Sequence, residues 1–150
     1  MVHIQHTSTC KAPIAVAFGY IDDYRTAPEW MFGLSKFEPI GDKDHGLGAV
    51  YDGSMKLGPK TLHSTVEVTG WEQDKLIALD SIKGFVNQST WQFLSRGPEE
   101  TELKVDFTYE LPGGMAGKAL GRVIEPVISI AIKHTEHTLR DNVERLYAKR

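Results

Sequence analysis

Apolar and polar side chains alternate along most of this sequence, and the period changes near its end. Val2, Ile4, His6, Ser8 and Cys10 alternate with His3, Gln5, Thr7 and Thr9, which predicts a first strand with one moderately apolar face. Ala12-Pro13 ends it. Pro is favourable in the first turn of a helix, and Ile14, Ala17, Phe18 and Ile21 share one side of a short one. A second short helix or turn is expected over Asp22 to Met31: Asp23 can cap it, Pro28 suits its first turn, and Trp30 and Met31 bring bulk for a core.

From Phe37 to Leu111 the two-residue period returns and predicts an antiparallel meander of about six strands. Val50 stands on one face of the first, with Tyr51, Met55 and Leu57 on the alternate face, and Gly58-Pro59 turns the chain. Leu62, Ser64, Val66 and Val68 face away from His63, Thr65, Glu67 and Thr69. Glu72 to Lys75 makes a polar turn before Leu76 to Ile82, and Asn87 to Leu94 sets Trp91 and Phe93 on one side. After a turn at Arg96 to Glu99, Leu103, Val105, Phe107, Tyr109 and Leu111 alternate with Glu102, Lys104, Asp106, Thr108 and Glu110. Pro112-Gly113-Gly114 breaks the sheet.

From Gly114 to Tyr147 the spacing becomes helical. Leu120, Val123, Ile124, Val127, Ile130, Ala131, Thr135, Thr138, Leu139, Val143 and Leu146 recur at steps of three and four, while Lys118, Arg122, Glu125, Lys133, Glu136, Arg140 and Glu144 take the opposite, water-facing side. Such a helix spans roughly 45 Å, enough to cross a small sheet. It needs a broad apolar partner surface, and a sheet with one dry face supplies it. The fold class is therefore α+β.

Composition narrows the partners. A chain of 150 residues, 41% hydrophobic, fits one domain with a real core, and no repeat or linker divides residues 1–150. The net charge of -3 offers no basic surplus, which argues against nucleic acid and anionic membranes as partners. The single cysteine, Cys10, excludes an intramolecular disulfide and a multi-cysteine zinc site. MVHIQHTSTC lacks the apolar stretch of a signal peptide and no segment approaches a membrane span, so the expectation is a soluble, cytoplasmic protein.

The order of elements, and the segment KAPIAVAFGYIDDYRTAPEWMFG at Lys11 to Gly33, resembles the START-like superfamily called SRPBCC, within it the polyketide cyclase/dehydrase and lipid-transport group. Ala12-Pro13, Phe18, Asp22 or Asp23, and Pro28-Glu29-Trp30 stand where that family has its Ala-Pro strand end, helix aromatic, Asp and Pro-x-Trp. The resemblance spans nearly the whole chain as one START-like domain. It implies the helix grip, a curved antiparallel sheet of about seven strands wrapped around the C-terminal helix, with two short helices after strand 1 and a cavity between sheet and helix.

Physics supports such a cavity, because a curved sheet and a straight helix diverge and the gap either fills or stays open. Gly53, Ser64, Ala49 and Ser89 beside Tyr51, Trp91 and Phe107 would leave one; the alternative is that these residues are only core. The residues expected around a ligand are Trp30, Tyr51, Ser64, Phe85, Trp91, Phe107, Met115 and Ile124, with Met115 and Phe85 flanking an entrance beside the Gly-rich 112–117 segment.

Catalytic motifs are absent. His134 and His137 lack a third ligand at helical spacing and suit a solvated face, so neither a metal nor a cofactor is expected. No Gly-x-Ser-x-Gly elbow anchors a nucleophile, and GGMAGKALG lacks the Lys-Ser/Thr ending of a phosphate loop. Three residues are candidates for proton transfer in a shielded pocket: His6, Tyr51 and Asp80. His6 shares a face with Val2, Ile4 and Cys10; Asp80 shares one with Leu76, Ala78 and Ile82, although Ile77 and Leu79 leave that strand's facing open. The leading reading is binding, transport or sequestration of a small hydrophobic ligand such as a lipid or polyketide. A polyketide cyclase or dehydratase working in the same cavity is the alternative. A chaperone-regulating interaction domain, which would need an exposed apolar patch, is a third. A homodimer is compatible with all of these.

Overall fold

The computed structural model describes residues 2–31, 33–57, 60–110, 130 and 133–149. In chain order these form β1 (Val2–Cys10), α1 (Ile14–Asp22), a 3-10 turn (Tyr24–Thr26), α2 (Ala27–Trp30), β2 (Leu34–Ile40), β3 (Val50–Leu57), β4 (Lys60–Glu72), β5 (Leu76–Gly84), β6 (Val86–Gly97), β7 (Glu100–Glu110) and a C-terminal helix, α3, over 133–148. The strands make one antiparallel sheet in the order β1-β7-β6-β5-β4-β3-β2. Each strand of the meander lies beside its successor, and β1 closes against the last. Helices α1 and α2 therefore carry the chain from one sheet edge to the other. This is the α+β helix grip: a curved seven-stranded sheet, two short helices after its first strand, and a C-terminal helix against its inner face.

Local chemistry explains the joints. The Asp23 carboxylate accepts from the Arg25 backbone N at 3.1 Å and caps the 3-10 turn, while Pro28 sits in the first turn of α2, where no amide donor is missed. Register shifts at Thr65/Val66, Val68/Gly70 and Ser95/Gly97 interrupt the ladder, and such bulges bend and twist long strands. At the β5–β6 hairpin Gly84 has φ +83, and a Cβ there would stand 2.4 Å from the His63 carbonyl oxygen, so only glycine lets the hairpin lie so close on β4. Phe85 N then donates to that same carbonyl at 2.8 Å.

The inner face follows the two-residue period. Trp91 and Phe93 of β6 and Leu103 of β7 are buried there against Val16, Ala17 and Phe18 of α1 and against Leu139 and Val143 of α3. Phe18 meets Phe93 and Trp71 edge-on, at ring separations of 5.0 and 5.8 Å. Trp30 meets Trp91 the same way at 5.3 Å. Trp71, near the β4–β5 turn, is only half-buried, and its indole N–H donates to the Asp22 carboxylate at 2.9 Å. A second cluster of Ala49, Tyr51, Val66 and Val68 closes the other end of the sheet. Helix α3 is tied down at several points: Glu144 accepts from the Lys11 backbone N, Asn142 donates to the Tyr20 hydroxyl, and the Tyr147 hydroxyl donates to Glu99.

The ambiguity of β5 resolves in one direction. Ile77 pairs with Trp91 and is buried, and Leu79 pairs with Ser89, so these two face inward. Leu76, Ala78 and Asp80 share a face, as their spacing requires, and it is the outer one. Trp91→Ala removes a buried aromatic that both packs on Trp30 and walls the interior. It should cost about 3–5 kcal/mol of stability, read from denaturant midpoints.

A candidate ligand cavity between sheet and helix

The inner face of the sheet does not close fully on α3. A cavity of about 250 Å³ remains between them, walled mostly by carbon. Leu103, Val105, Phe107 and Tyr109 of β7 form its floor, with Asn87, Ser89 and Trp91 of β6 beside them. Leu62, Ser64 and Val66 of β4, Gly53 and Met55 of β3, and Phe37 of β2 make one side; Ile4, His6 and Ser8 of β1 with Thr135, Glu136 and Leu139 of α3 make the other. The physical cause is size. Gly53, Ser64 and Ser89 occupy inward positions on β3, β4 and β6, where larger side chains would take up part of the gap.

The ligand-site residues expected from the sequence fall in different places. Ser64, Phe85, Trp91 and Phe107 line the cavity. Trp30 lies behind Trp91, edge-on to it, with its indole N–H donating to Thr26 Oγ1 at 3.2 Å. Met115, Ile124 and the 112–117 entrance segment lie outside the described residues. Tyr51 faces inward but stacks behind Phe37, at a ring separation of 4.6 Å, and Ala49 is likewise buried in the second cluster rather than in the cavity wall.

Of the three candidates for proton transfer, the geometry keeps one in the cavity. The Tyr51 hydroxyl donates to the Asp44 carbonyl at 2.6 Å. Burial, followed by the carboxylates of Asp22 and Asp44, pushes this phenol up to about 12, so its proton is committed. Asp80 is on the outer face and accepts from Thr69 Oγ1 at 2.7 Å. Only His6 points into the cavity, because β1 keeps strict alternation and pairs with β7 in register, His6 opposite Val105.

Besides the hydroxyls of Ser8, Ser54, Ser89 and Thr135, two polar groupings stand in the wall. Near the β5–β6 hairpin the Ser64 hydroxyl donates to the Phe85 carbonyl and accepts from Asn87 Nδ2, which also donates to that carbonyl at 2.8 Å. That grouping is closed on itself. At the seam of β1 and α3, His6 Nε2 lies 2.9 Å from Glu136 Oε2. The direction of this contact is not that of a hydrogen bond, and Nε2 is shut off from solvent with no hydrogen-bond partner among the described residues.

Glu136 corrects the assignment of the helix faces, which placed it toward water. Its spacing held the signal: residues 136, 139 and 143 follow the steps of three and four that set Leu139 and Val143 in the core. Asn87 was also missed, since a polar residue opening a strand reads as solvent-facing. His137 does lie on the wet side of α3, with Nε2 3.2 Å from Asp141. Among the described residues no three His, Cys, Asp or Glu side chains converge as a metal site, and no helix is long and apolar enough to cross a membrane.

The family model for polyketide cyclase/dehydrase and lipid transport matches residues 1–144, and the chain belongs to that family. No curated protein matches it in sequence. Among solved structures, a protein of Thermus thermophilus is 18% identical with a TM-score of 0.79, covering 95% of this chain and 97% of that one. The Zhui aromatase/cyclase of Streptomyces sp. R1128 is 17% identical with a TM-score of 0.74, covering 96% and 94%. A START superfamily protein of Mycobacterium smegmatis is 16% identical with a TM-score of 0.73, covering 96% and 98%. At these identities the likeness establishes the START-like fold.

Cys10, beyond the cavity at the end of β1, behaves as a small apolar side chain. Burial, then the Glu144 carboxylate, pushes its thiol up to about 11 from 9.0. Two pH units correspond to about a hundredfold less thiolate at pH 8. Alkylation of Cys10 by iodoacetamide at pH 8 should therefore be about a hundredfold slower than that of an unperturbed thiol, and should accelerate as the pH rises toward 11. Mass spectrometry of timed samples reads this directly.

Proposed function

We propose that the protein binds a small, largely apolar ligand in the cavity between the sheet and α3. The observation that supports this reading is the cavity itself: about 250 Å³ of space walled mostly by carbon, beside a cluster of packed aromatic side chains. Empty apolar volume is destabilising, since its lining atoms forgo dispersion contacts. A sequence that sets Gly53, Ser64 and Ser89 together in that core keeps space a ligand can use. The volume lies just below the roughly 300–1,000 Å³ of drug-sized sites, which suits a compact molecule of fused rings or a short chain. Family membership agrees with a hydrophobic ligand, whether carried or held.

A second reading, a cyclase or dehydratase acting on a poly-ketone chain, is favoured by one observation. His6 and Glu136 bring two groups able to move protons to the wall of an apolar cavity, the setting such chemistry needs. The aromatase/cyclase among the similar structures fits it too. Incubation with a synthetic poly-β-ketone thioester tests this arm: aromatic absorbance that grows with wild-type protein and not with His6→Leu supports it, and no turnover sinks it.

The binding arm is tested by NMR titration with naphthalene. Saturable shifts should appear at cavity-lining Trp91 and Val105. Ser89→Leu should fill part of the space, abolish those shifts and leave stability equal or higher. A Ser89→Leu protein that folds and binds naphthalene as well as wild type would place the ligand elsewhere.

A further inference from the structure

We infer that the Ser89 hydroxyl is a point at which the cavity recognises its ligand, and that the ligand presents a carbonyl or hydroxyl oxygen on an otherwise apolar body. The inference rests on the cavity-binding reading above and narrows it to a chemical class.

The buried polar side chains differ in how they are answered. Ser54, Ser89 and Thr101 are buried among the described residues. The Ser54 hydroxyl lies 2.8 Å from His63 Nδ1, and the Thr101 hydroxyl donates to the Ala12 carbonyl at 2.8 Å. The half-buried Ser64 is also spent within the protein, donating to the Phe85 carbonyl and accepting from Asn87 Nδ2. Ser89 is 7% exposed, and its hydroxyl has no hydrogen-bond partner among the described residues. Among those residues the side-chain polar atom both sealed and unpartnered is His6 Nε2, so Ser89 Oγ keeps open surface. On so buried a residue in the cavity wall, that surface faces the cavity.

The register fixes what surrounds it. Ser89 lies opposite Leu79 of β5 and Phe107 of β7, and both line the cavity with carbon. These side chains can hold an apolar body but offer no hydrogen bond. Strand β6 is paired on both sides, so the hydroxyl stands on a rigid element.

Size alone does not call for serine here. Gly53 keeps space on β3 without any side-chain polar atom, and alanine at 89 would keep nearly the same volume. A hydroxyl in a carbon-walled site costs free energy until an acceptor meets its proton. A ligand carbonyl or hydroxyl oxygen about 2.8 Å from Oγ meets it. A pure hydrocarbon leaves it unanswered.

The test titrates wild type and Ser89→Ala with indane and 1-indanone, one bicyclic frame without and with a carbonyl, followed by NMR. The ratio of 1-indanone to indane affinity should fall about five- to tenfold in Ser89→Ala. Comparing each probe between two proteins cancels its own cost of leaving water. An unchanged ratio overturns the inference and leaves cavity binding intact. Thermal unfolding of the unliganded proteins separates recognition from a structural role. With no hydrogen bond to lose, Ser89→Ala should match or exceed the wild-type Tm; a Tm several degrees lower assigns the hydroxyl to the fold and overturns the inference. Binding of neither probe to wild type overturns the cavity reading and this inference together. Should Ser89→Ala fail to fold, the carbonyl ¹³C resonance of 1-indanone bound to wild type decides. A position downfield of that in hydrocarbon solvent supports the hydrogen bond, and an unshifted one overturns it.

Discussion

The structure depends on the packing of a curved sheet against the C-terminal helix. A seven-stranded antiparallel sheet bent by bulges presents its apolar inner face to α3. Where they touch, Leu139 and Val143 meet Phe93, Leu103 and the α1 side chains, and the packing is dense. Around the cavity the inner positions carry Gly53, Ser64 and Ser89, and volume stays open. Stability and function are thus separated along one interface, with aromatic contacts at one end holding the gap at the other.

That separation also governs the polar groups. A cavity walled by carbon raises the cost of every unsatisfied donor or acceptor in it, so polar residues persist there only when answered by the protein or by a ligand. Ser64, Asn87 and the Phe85 carbonyl answer one another. The imidazole of His6 lies against the carboxylate of Glu136 at 2.9 Å, at the seam of β1 and α3. Tyr51 shows another arrangement: its hydroxyl donates to the Asp44 carbonyl and its ring stacks behind Phe37, away from the cavity wall.

Much of the fold was legible in the residues. Strict alternation in β1 and β7 set both faces, because a strand's side-chain period leaves no freedom once one face is dry. Ala12-Pro13, Asp23 and Pro28 marked the ends of local elements for steric and capping reasons that act within a few residues. The small side chains at 53, 64 and 89 left both a cavity and a filled core open in the sequence, and the structure brings them together along one cavity wall across three strands.

Element order and the inward face of most strands were contained in the linear pattern, since they follow from local sterics and periodicity, whereas whether the core kept open space was not. The facing of β5 was not, because consecutive apolar residues from Leu76 to Leu79 fit either side until Ile77 pairs with buried Trp91. Nor was the place of Tyr51 behind Phe37, or the meeting of His6 with Glu136, a charged residue in step with Leu139 and Val143. Two residues so far apart in the chain share a site only after the sheet has curved and the helix has docked. Their pairing reflects three-dimensional distance, which no local pattern encodes.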